Sequence, residues 1–231
     1  YNMKKILAMV LTALSVAVSA GTTAKNIVRA SNDLIIKSEA AYLTDYNSGE
    51  VIYSKNETKR LPIASMTKLM LLNLCFEKLD EGEYSLSDEI VVSKRASGMG
   101  GSQVFLEANR AYKAAELIKS IVVASANDAS VAMAERLYGS EENCVDEMNA
   151  KATEWNLNDT LFSNCTGLPK PTQYSCAKDV AVMLKNLVKH DEYFTFSRIW
   201  TDEIDHGDRK TEITNTNKLV KFYEGCDGGK T

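Results

Sequence analysis

The sequence predicts an α/β or α+β domain in which strands from the two ends of the chain form one antiparallel sheet, with a helical subdomain between them. Near the start, the strand-like segments 41–46 and 50–54 flank Asn47-Ser48-Gly49, a turn signal typical of a β-hairpin. Near the end, TEITNTNKLV (211–220) and GCDGGKT (225–231) are predicted to form strand, turn and strand. Since the helical patterns lie between these two regions, we expect the terminal strands to meet.

Five helices are predicted from the spacing of apolar residues, at 64–79, 113–123, 127–138, 143–155 and 176–189. Ser65 falls near the first turn of the first helix, which is predicted to be largely buried. Ser125-Ala126-Asn127 falls in the break between the second helix and the third. Ser175 is predicted to be the N-cap of the last helix.

The N-terminal segment has the pattern of a cleavable secretory signal. Residues 3–20 combine a start methionine, Lys4 and Lys5, a short apolar region and the small residues Ser19 and Ala20. The apolar region is short for a membrane anchor, which is the alternative. Residues 1 and 2 lie upstream of the start, and 21–40 is predicted to be an exposed lead-in. The protein is therefore expected outside the cytoplasmic membrane, in the periplasm or cell wall.

Composition excludes several classes of function. The chain has 231 residues, of which 45% are hydrophobic, enough for the core of one domain or two small ones. Its net charge of −4 becomes −6 when Lys4 and Lys5 leave with the signal, which argues against a nucleic-acid partner. The two histidines have no partner at metal-ligand spacing, and the five cysteines form no CxxC motif. The sequence thus indicates no metal or organic cofactor, and it leaves a Cys165–Cys176 bridge open.

Ser65 and Lys68 form the first candidate for catalytic chemistry. Residues three apart share a face of a helix, so the lysine can approach the serine hydroxyl. A serine needs a positioned base to become a nucleophile, and a lysine packed among apolar residues has a lowered pKa that suits it to that role. The alternative is a lysine that extends to solvent.

The Ser-x-x-Lys spacing is weak evidence by itself, because Ser175-Cys176-Ala177-Lys178 has the same form. Ser-x-Asn also occurs twice, at 125–127 and at 54–56. The ordered set is specific: Ser-x-x-Lys, then Ser-x-Asn sixty residues later, then Lys230-Thr231 after a Gly-rich segment.

With this set, the sequence resembles the serine-type D-alanyl-D-alanine carboxypeptidases, the low-molecular-weight penicillin-binding proteins. The blocks that resemble the family, in its order, are PIASMTKLM (62–70), GGSQVFLE (100–107), SANDASVAMAE (125–135), MNAKA (148–152), DTLFSNCTGL (159–168), NTNKLV (215–220) and DGGKT (227–231). They extend over roughly 40–231. The resemblance implies a penicillin-binding-protein and β-lactamase-like transpeptidase fold, with 41–231 as the catalytic domain.

The resemblance also implies a role for each motif in removing the terminal D-alanine from peptidoglycan stem peptides. Ser65 would be the acylated nucleophile, with its backbone N–H as one oxyanion donor, and Lys68 would be its general base. Ser125 would relay a proton to the departing amine. The implied partners are stem peptides that end in D-Ala-D-Ala and β-lactam antibiotics.

Three further residues are implied to bind the substrate. Asn127 would hold its amide, Lys230 would supply positive charge, and Thr231 would bond its carboxylate. The chain stops at Thr231, before the Gly and the later strands of the family's catalytic domain, so a truncated sequence with weak or no turnover is expected. Membrane association would come only from a C-terminal segment that this chain does not include.

Two alternatives remain open at this point. A serine β-lactamase shares the fold and the three motifs, and the segment 154–158 imitates its acidic loop, although Ala126 stands where such enzymes usually have Asp. A non-catalytic penicillin-binding or wall-binding module would keep the cleft without turnover.

Overall fold

The computed structural model describes residues 36–229. The predicted signal at 3–20, most of the lead-in and the pair Lys230-Thr231 lie outside the described residues. Within residues 36–229, no helix has the length and apolar character needed to cross a membrane.

The described chain consists of short strands and longer helices. Its strands are β1 (Ala41–Thr44), β2 (Val51–Lys55), β3 (Glu89–Val91), β4 (Ala111–Lys113), β5 (Thr201–Asp205) and β6 (Lys210–Thr214). Its helices are α1 (Lys68–Asp80), α2 (Lys94–Ser97), α3 (Ala114–Ala124), α4 (Asn127–Tyr138), α5 (Glu141–Glu154), α6 (Ala177–Leu187), α7 (Tyr193–Ser197) and α8 (Leu219–Phe222). A 3₁₀ turn at Ala64–Thr67 leads directly into α1.

Helix α1 is the centre of the core. Every residue from Lys68 to Phe76 is buried, because α4, α5 and α6 pack around α1. A helix that is apolar around its whole circumference is stable only when it is covered in this way. Helix α6 has one apolar face, which it turns to α1, and strand β1 packs on α6 in turn. The first turn of α1 is therefore held in the interior of the protein.

The predicted hairpin is confirmed. Strands β1 and β2 pair antiparallel, with Ala41 opposite Lys55 and a bulge next to Thr44. In the turn, the Asp45 carboxylate accepts hydrogen bonds from the backbone N–H and the hydroxyl of Ser48. Gly49 has a φ of +72°, a conformation that favours glycine.

The five predicted helices are also present, with one correction at the last. The N-cap of α6 is Cys176, whose Sγ accepts a hydrogen bond from the Asp179 N–H at 3.4 Å. Ser175 lies one residue earlier, where its backbone pairs with Leu61 and its hydroxyl with Thr160, so it cannot cap the helix. Cys176 is a free thiol, as is Cys165, so the bridge left open by the sequence is not formed.

The α/β class is confirmed, but the expected single sheet is not formed within residues 36–229. Three antiparallel pairs occur there, β1–β2, β3–β4 and β5–β6, and they do not join. The first pair is anchored on α6 and the last on α3, so the two terminal hairpins lie against different helices. Residues 226–229, predicted as part of a strand, have no regular structure.

Asp128, the second residue of α4, holds the connection between α2 and β4 in place. Its fully buried carboxylate accepts hydrogen bonds from the backbone N–H groups of Val104 and Leu106, at 3.1 and 3.0 Å. Buried N–H groups without an acceptor are costly, so this one side chain holds the segment 100–107 in place.

We expect Asp128→Ala to lower the free energy of unfolding by about 3 kcal/mol, because it leaves two buried N–H groups without acceptors. Urea unfolding measures this change. The matched control is Asp146→Ala on the exposed face of α5, which is expected to change stability by less than about 0.5 kcal/mol. A similar, small effect of both substitutions would contradict the assignment.

Candidate active site

Ser65 and Lys68 are brought together by the junction between the 3₁₀ turn and α1. Ser65 lies in the turn, and Lys68 is the first residue of α1. The Lys68 Nζ lies 3.1 Å from the Ser65 Oγ, within hydrogen-bond distance. Ser65 is half-buried, whereas the Lys68 side chain has no exposed surface. The pair predicted from the three-residue spacing is thus in direct contact.

Lys68 is unusual because a lysine is almost never fully buried. Its Nζ donates a second hydrogen bond, of 2.5 Å, to the backbone carbonyl of Thr166. Burial lowers the pKa of Lys68 to about 8. A substantial fraction of Lys68 is therefore a neutral amine, able to accept a proton, at slightly alkaline pH.

The Thr166 carbonyl is held by a turn built around Asn164. The Asn164 Oδ1 accepts hydrogen bonds from the backbone N–H groups of Thr166 and Gly167, and its Nδ2 donates to the Leu168 carbonyl at 2.8 Å. The Oε1 of the buried Gln173 accepts a hydrogen bond from the N–H of Asn164 at 3.1 Å and so supports the start of the turn. The residues 164–168 thus form a rigid turn, here called the carbonyl loop.

Gly167 allows the carbonyl loop to approach the serine. A Cβ at this position would lie 2.0 Å from the carbonyl oxygen of Ala64 and 2.8 Å from the backbone nitrogen of Ser65. Only glycine fits so close to another backbone, and its φ of +86° also favours glycine. Sequence reasoning assigned no role to the carbonyl loop, because the atom that contacts Lys68 belongs to the backbone.

Ser125 lies at the break between α3 and α4, as predicted. It has a φ of +59°, a left-handed conformation that is uncommon for serine. Its hydroxyl is buried and has no hydrogen-bond partner within residues 36–229. Strained backbone and an unpaired buried polar group are both typical of functional sites.

Asn127 begins α4 and holds the wall formed by residues 100–102. Its Nδ2 donates to the Gly100 carbonyl and its backbone N–H donates to the Ser102 carbonyl, both at 2.7 Å. Its Oδ1 is buried without a partner among the described residues. A Cβ on Gly101 would lie 2.8 Å from the Asn127 Nδ2 and 3.4 Å from Leu168, so this wall meets the carbonyl loop.

The last described residues lie near the end of α3. A Cβ on Gly229 would lie 3.8 Å from the Asn217 Nδ2. The backbone N–H of the adjacent Thr216 donates to the carbonyl of Val123, two residues before Ser125. Lys230 and Thr231 themselves lie outside the described residues, so their roles stay predictions.

This arrangement suits acyl transfer by a serine. It combines a serine hydroxyl, a buried lysine amine at hydrogen-bond distance, and two further polar atoms, on Ser125 and Asn127, that lack protein partners within residues 36–229. In the part of the chain from 36 to 229, no cluster of three His, Cys, Asp or Glu side chains is arranged to hold a metal ion.

Comparison with known families agrees with this class. The peptidase S11 model, described as D-alanyl-D-alanine carboxypeptidase, matches residues 26–231. The chain therefore belongs to the peptidase S11 family of D-alanyl-D-alanine carboxypeptidases.

Curated relatives extend the comparison over the whole chain. The D-alanyl-D-alanine carboxypeptidase DacF of Bacillus subtilis is 42% identical over 231 residues, which is 99% of this chain and 59% of that protein. DacC of Escherichia coli is 34% identical over 180 residues, covering 71% of this chain and 45% of that protein. The chain thus spans about half the length of the curated relatives it matches.

Solved structures share the fold. A peptidoglycan synthesis regulatory factor (PBP3) from Streptococcus pneumoniae has a TM-score of 0.75 and 30% identity, over 83% of this chain and 58% of that one. DacD from Francisella tularensis has a TM-score of 0.80 and covers 85% of this chain and 60% of its own; at 24% identity it supports the fold alone. The predicted penicillin-binding-protein fold is therefore confirmed.

We expect the Lys68 amine to titrate with a midpoint near 8 in the folded protein. Carbon-13 NMR of labelled lysine measures this, and loss of the signal in Lys68→Arg identifies it. In urea the same signal is expected to titrate near the ordinary lysine value of about 10.4. Because the pKa is lower in the folded state, stability should rise with pH between these two values. A folded-state midpoint above 10 would contradict the burial argument.

Proposed function

We propose that this protein is a serine carboxypeptidase that removes the terminal D-alanine from peptidoglycan stem peptides, with residues 41–231 as its catalytic domain. The observation that carries the proposal is the contact of 3.1 Å between the Ser65 Oγ and the Nζ of a fully buried lysine. A buried lysine without a carboxylate partner is costly, and a role as base accounts for it.

In the acylation step, neutral Lys68 takes the proton of the Ser65 hydroxyl. The Ser65 oxygen forms a bond to the carbonyl carbon of the penultimate D-alanine. The bond from that carbon to the nitrogen of the terminal residue then breaks, and the proton held by Lys68 passes through Ser125 to the departing amine, which leaves Lys68 neutral again. Water later attacks the ester, releases the shortened peptide and returns the proton to Ser65.

The unpaired polar atoms of the site are proposed to bind the substrate. The Asn127 Oδ1 faces no protein donor within the described residues, so it can accept a hydrogen bond from the peptide N–H of the substrate. Lys230 and Thr231 are proposed to bind the terminal carboxylate, as the family resemblance implies. The backbone N–H of Ser65 is proposed to stabilise the developing oxyanion.

β-Lactam antibiotics are proposed to acylate Ser65 in the same way. When the ring amide is opened, the amine stays attached to the acyl group, so the departing group cannot leave the site. A long-lived covalent complex follows from this chemistry.

Because the substrate belongs to the cell wall and residues 3–20 have a signal pattern, we propose an extracytoplasmic location. Membrane attachment through sequence beyond Thr231 is part of the same proposal.

The β-lactamase alternative depends on an acidic residue that activates water beside the acyl-enzyme. Glu154, the candidate in the segment 154–158, is at the end of α5, where its side chain is 63% exposed. It forms an ion pair with Lys151 at 3.1 Å, whereas the carbonyl loop occupies the place beside Ser65. This position favours the carboxypeptidase.

We expect Ser65→Ala to abolish covalent retention of labelled penicillin, because no other described serine contacts a buried lysine amine. Gel fluorescence after denaturation measures the retained label. Ser175→Ala, in the second Ser-x-x-Lys sequence, is the matched control and should retain the label, since within residues 36–229 the Ser175 hydroxyl bonds Thr160 and no lysine amine. Release of D-alanine from a D-Ala-D-Ala peptide tests the reaction. Retention by Ser65→Ala would overturn the assignment, and rapid release of hydrolysed penicillin would favour a lactamase.

A further inference from the structure

Glu141 is a buried acid that the proposed reaction does not use. It is the first residue of α5, and its side chain is only 9% exposed. Its Oε1 accepts a hydrogen bond from the backbone N–H of Cys165 at 3.2 Å and lies 3.5 Å from the Cys165 Sγ. Carboxylates are rarely buried without a compensating partner, so this position requires an explanation.

Arg95 on α2 supplies the compensating charge. One guanidinium nitrogen lies 2.5 Å from the Glu141 Oε2, and the other lies 2.9 Å from the carboxylate of Glu142. Arg95 is half exposed, so the charge of Glu141 is neutralised from the surface while its other oxygen reaches inward. Glu141 and Glu142 both pair with Arg95. Of these two acids, only Glu141 also contacts the carbonyl loop among the described residues.

The contact between Glu141 and Cys165 lies one residue before Thr166, whose carbonyl accepts the hydrogen bond from Lys68. Glu141 fixes the N–H of Cys165, and Asn164 fixes the N–H of Thr166. Because a peptide unit is planar, the Thr166 carbonyl is fixed directly by the N–H of Gly167, which also donates to the Asn164 Oδ1. Glu141 fixes the first peptide unit of the same turn, so it holds the turn that carries this carbonyl. That carbonyl, on Thr166, is the one that accepts the hydrogen bond from Lys68.

We propose that Glu141, neutralised by Arg95, is a positioning residue for the Lys68 base. By holding the Cys165 N–H it keeps the Thr166 carbonyl at Lys68, and this contact directs the amine toward Ser65. The effect on acylation rests on the proposed function, whereas the effect on the environment of Lys68 does not.

The matched pair Glu141→Ala and Glu142→Ala tests this. Each substitution removes one carboxylate from Arg95, but only the first releases the carbonyl loop. Glu141→Ala is expected to slow acylation by labelled penicillin by about 10- to 100-fold, since a small misplacement of a catalytic group has effects of this size. Glu142→Ala is expected to stay within about twofold of wild type. Glu141→Gln keeps an oxygen that can accept the Cys165 N–H, so it should recover most of the lost rate.

The second readout is the titration of Lys68 by carbon-13 NMR, which needs no turnover. In folded Glu141→Ala the midpoint should move upward by about one unit, because a loosened loop admits water to the amine. Glu142→Ala should leave it unchanged. If wild type is not acylated, the proposed function fails while the titration still decides the role of Glu141. An unchanged midpoint in Glu141→Ala, or equal rates for the two alanine variants, would overturn the positioning role.

Should Glu141→Ala fail to fold, Arg95→Gln replaces it. This substitution is at a half-exposed site and leaves the Glu141 carboxylate without its cation, so the carboxylate is expected to turn toward water and release Cys165. The acylation rate should then fall about fivefold or more, with the same upward shift of the Lys68 midpoint. A rate and midpoint equal to those of wild type would overturn the proposal.

Discussion

The burial of one ammonium group governs the rest of this structure. Lys68 begins a helix that is enclosed by α4, α5 and α6, so its amine cannot reach water. Its hydrogen bonds go to one hydroxyl and one backbone carbonyl, neither of which carries a full charge. Such an arrangement costs stability when the lysine is protonated, because no ion pair among residues 36–229 offsets the desolvation of the charge. The same cost leaves the amine able to accept a proton at slightly alkaline pH, as the proposed role of base requires.

The surrounding turns hold the Lys68 amine at hydrogen-bond distance from the Ser65 hydroxyl. The carbonyl loop reaches Lys68 because Gly167 lets two backbones approach, and Asn164 pairs the loop's own N–H groups. On the other side, Asp128 holds the segment whose carbonyls receive Asn127. These supports are satisfied hydrogen bonds, whereas the hydroxyl of Ser125 and the Oδ1 of Asn127 have no partner within residues 36–229. The contrast separates atoms that maintain the site from atoms free to bind a substrate.

Much of the helical structure could be predicted, because each helix carries its own apolar period in a local stretch of sequence. The sheet could not be predicted in the same way. Strand pairing depends on which surfaces the hairpins pack against, and here they pack on α6 and α3 separately. The error at Ser175 has a similar origin. A serine before a helix is usually a cap, but here its backbone pairs with Leu61 across the fold, and the cap falls to Cys176.

The sequence by itself determined the contact between Ser65 and Lys68, the proposed nucleophile and base, since a three-residue spacing at the start of a helix is a local property. It also placed Ser125 and Asn127 at a helix break, and the order of the motifs identified the family. Only the tertiary structure decided that the Thr166 carbonyl meets Lys68 and that Glu141 reaches Cys165. These contacts join residues far apart in the chain, and the decisive atoms belong to the backbone. A backbone carbonyl or N–H is the same at every non-proline position, so no residue type marks it in the sequence.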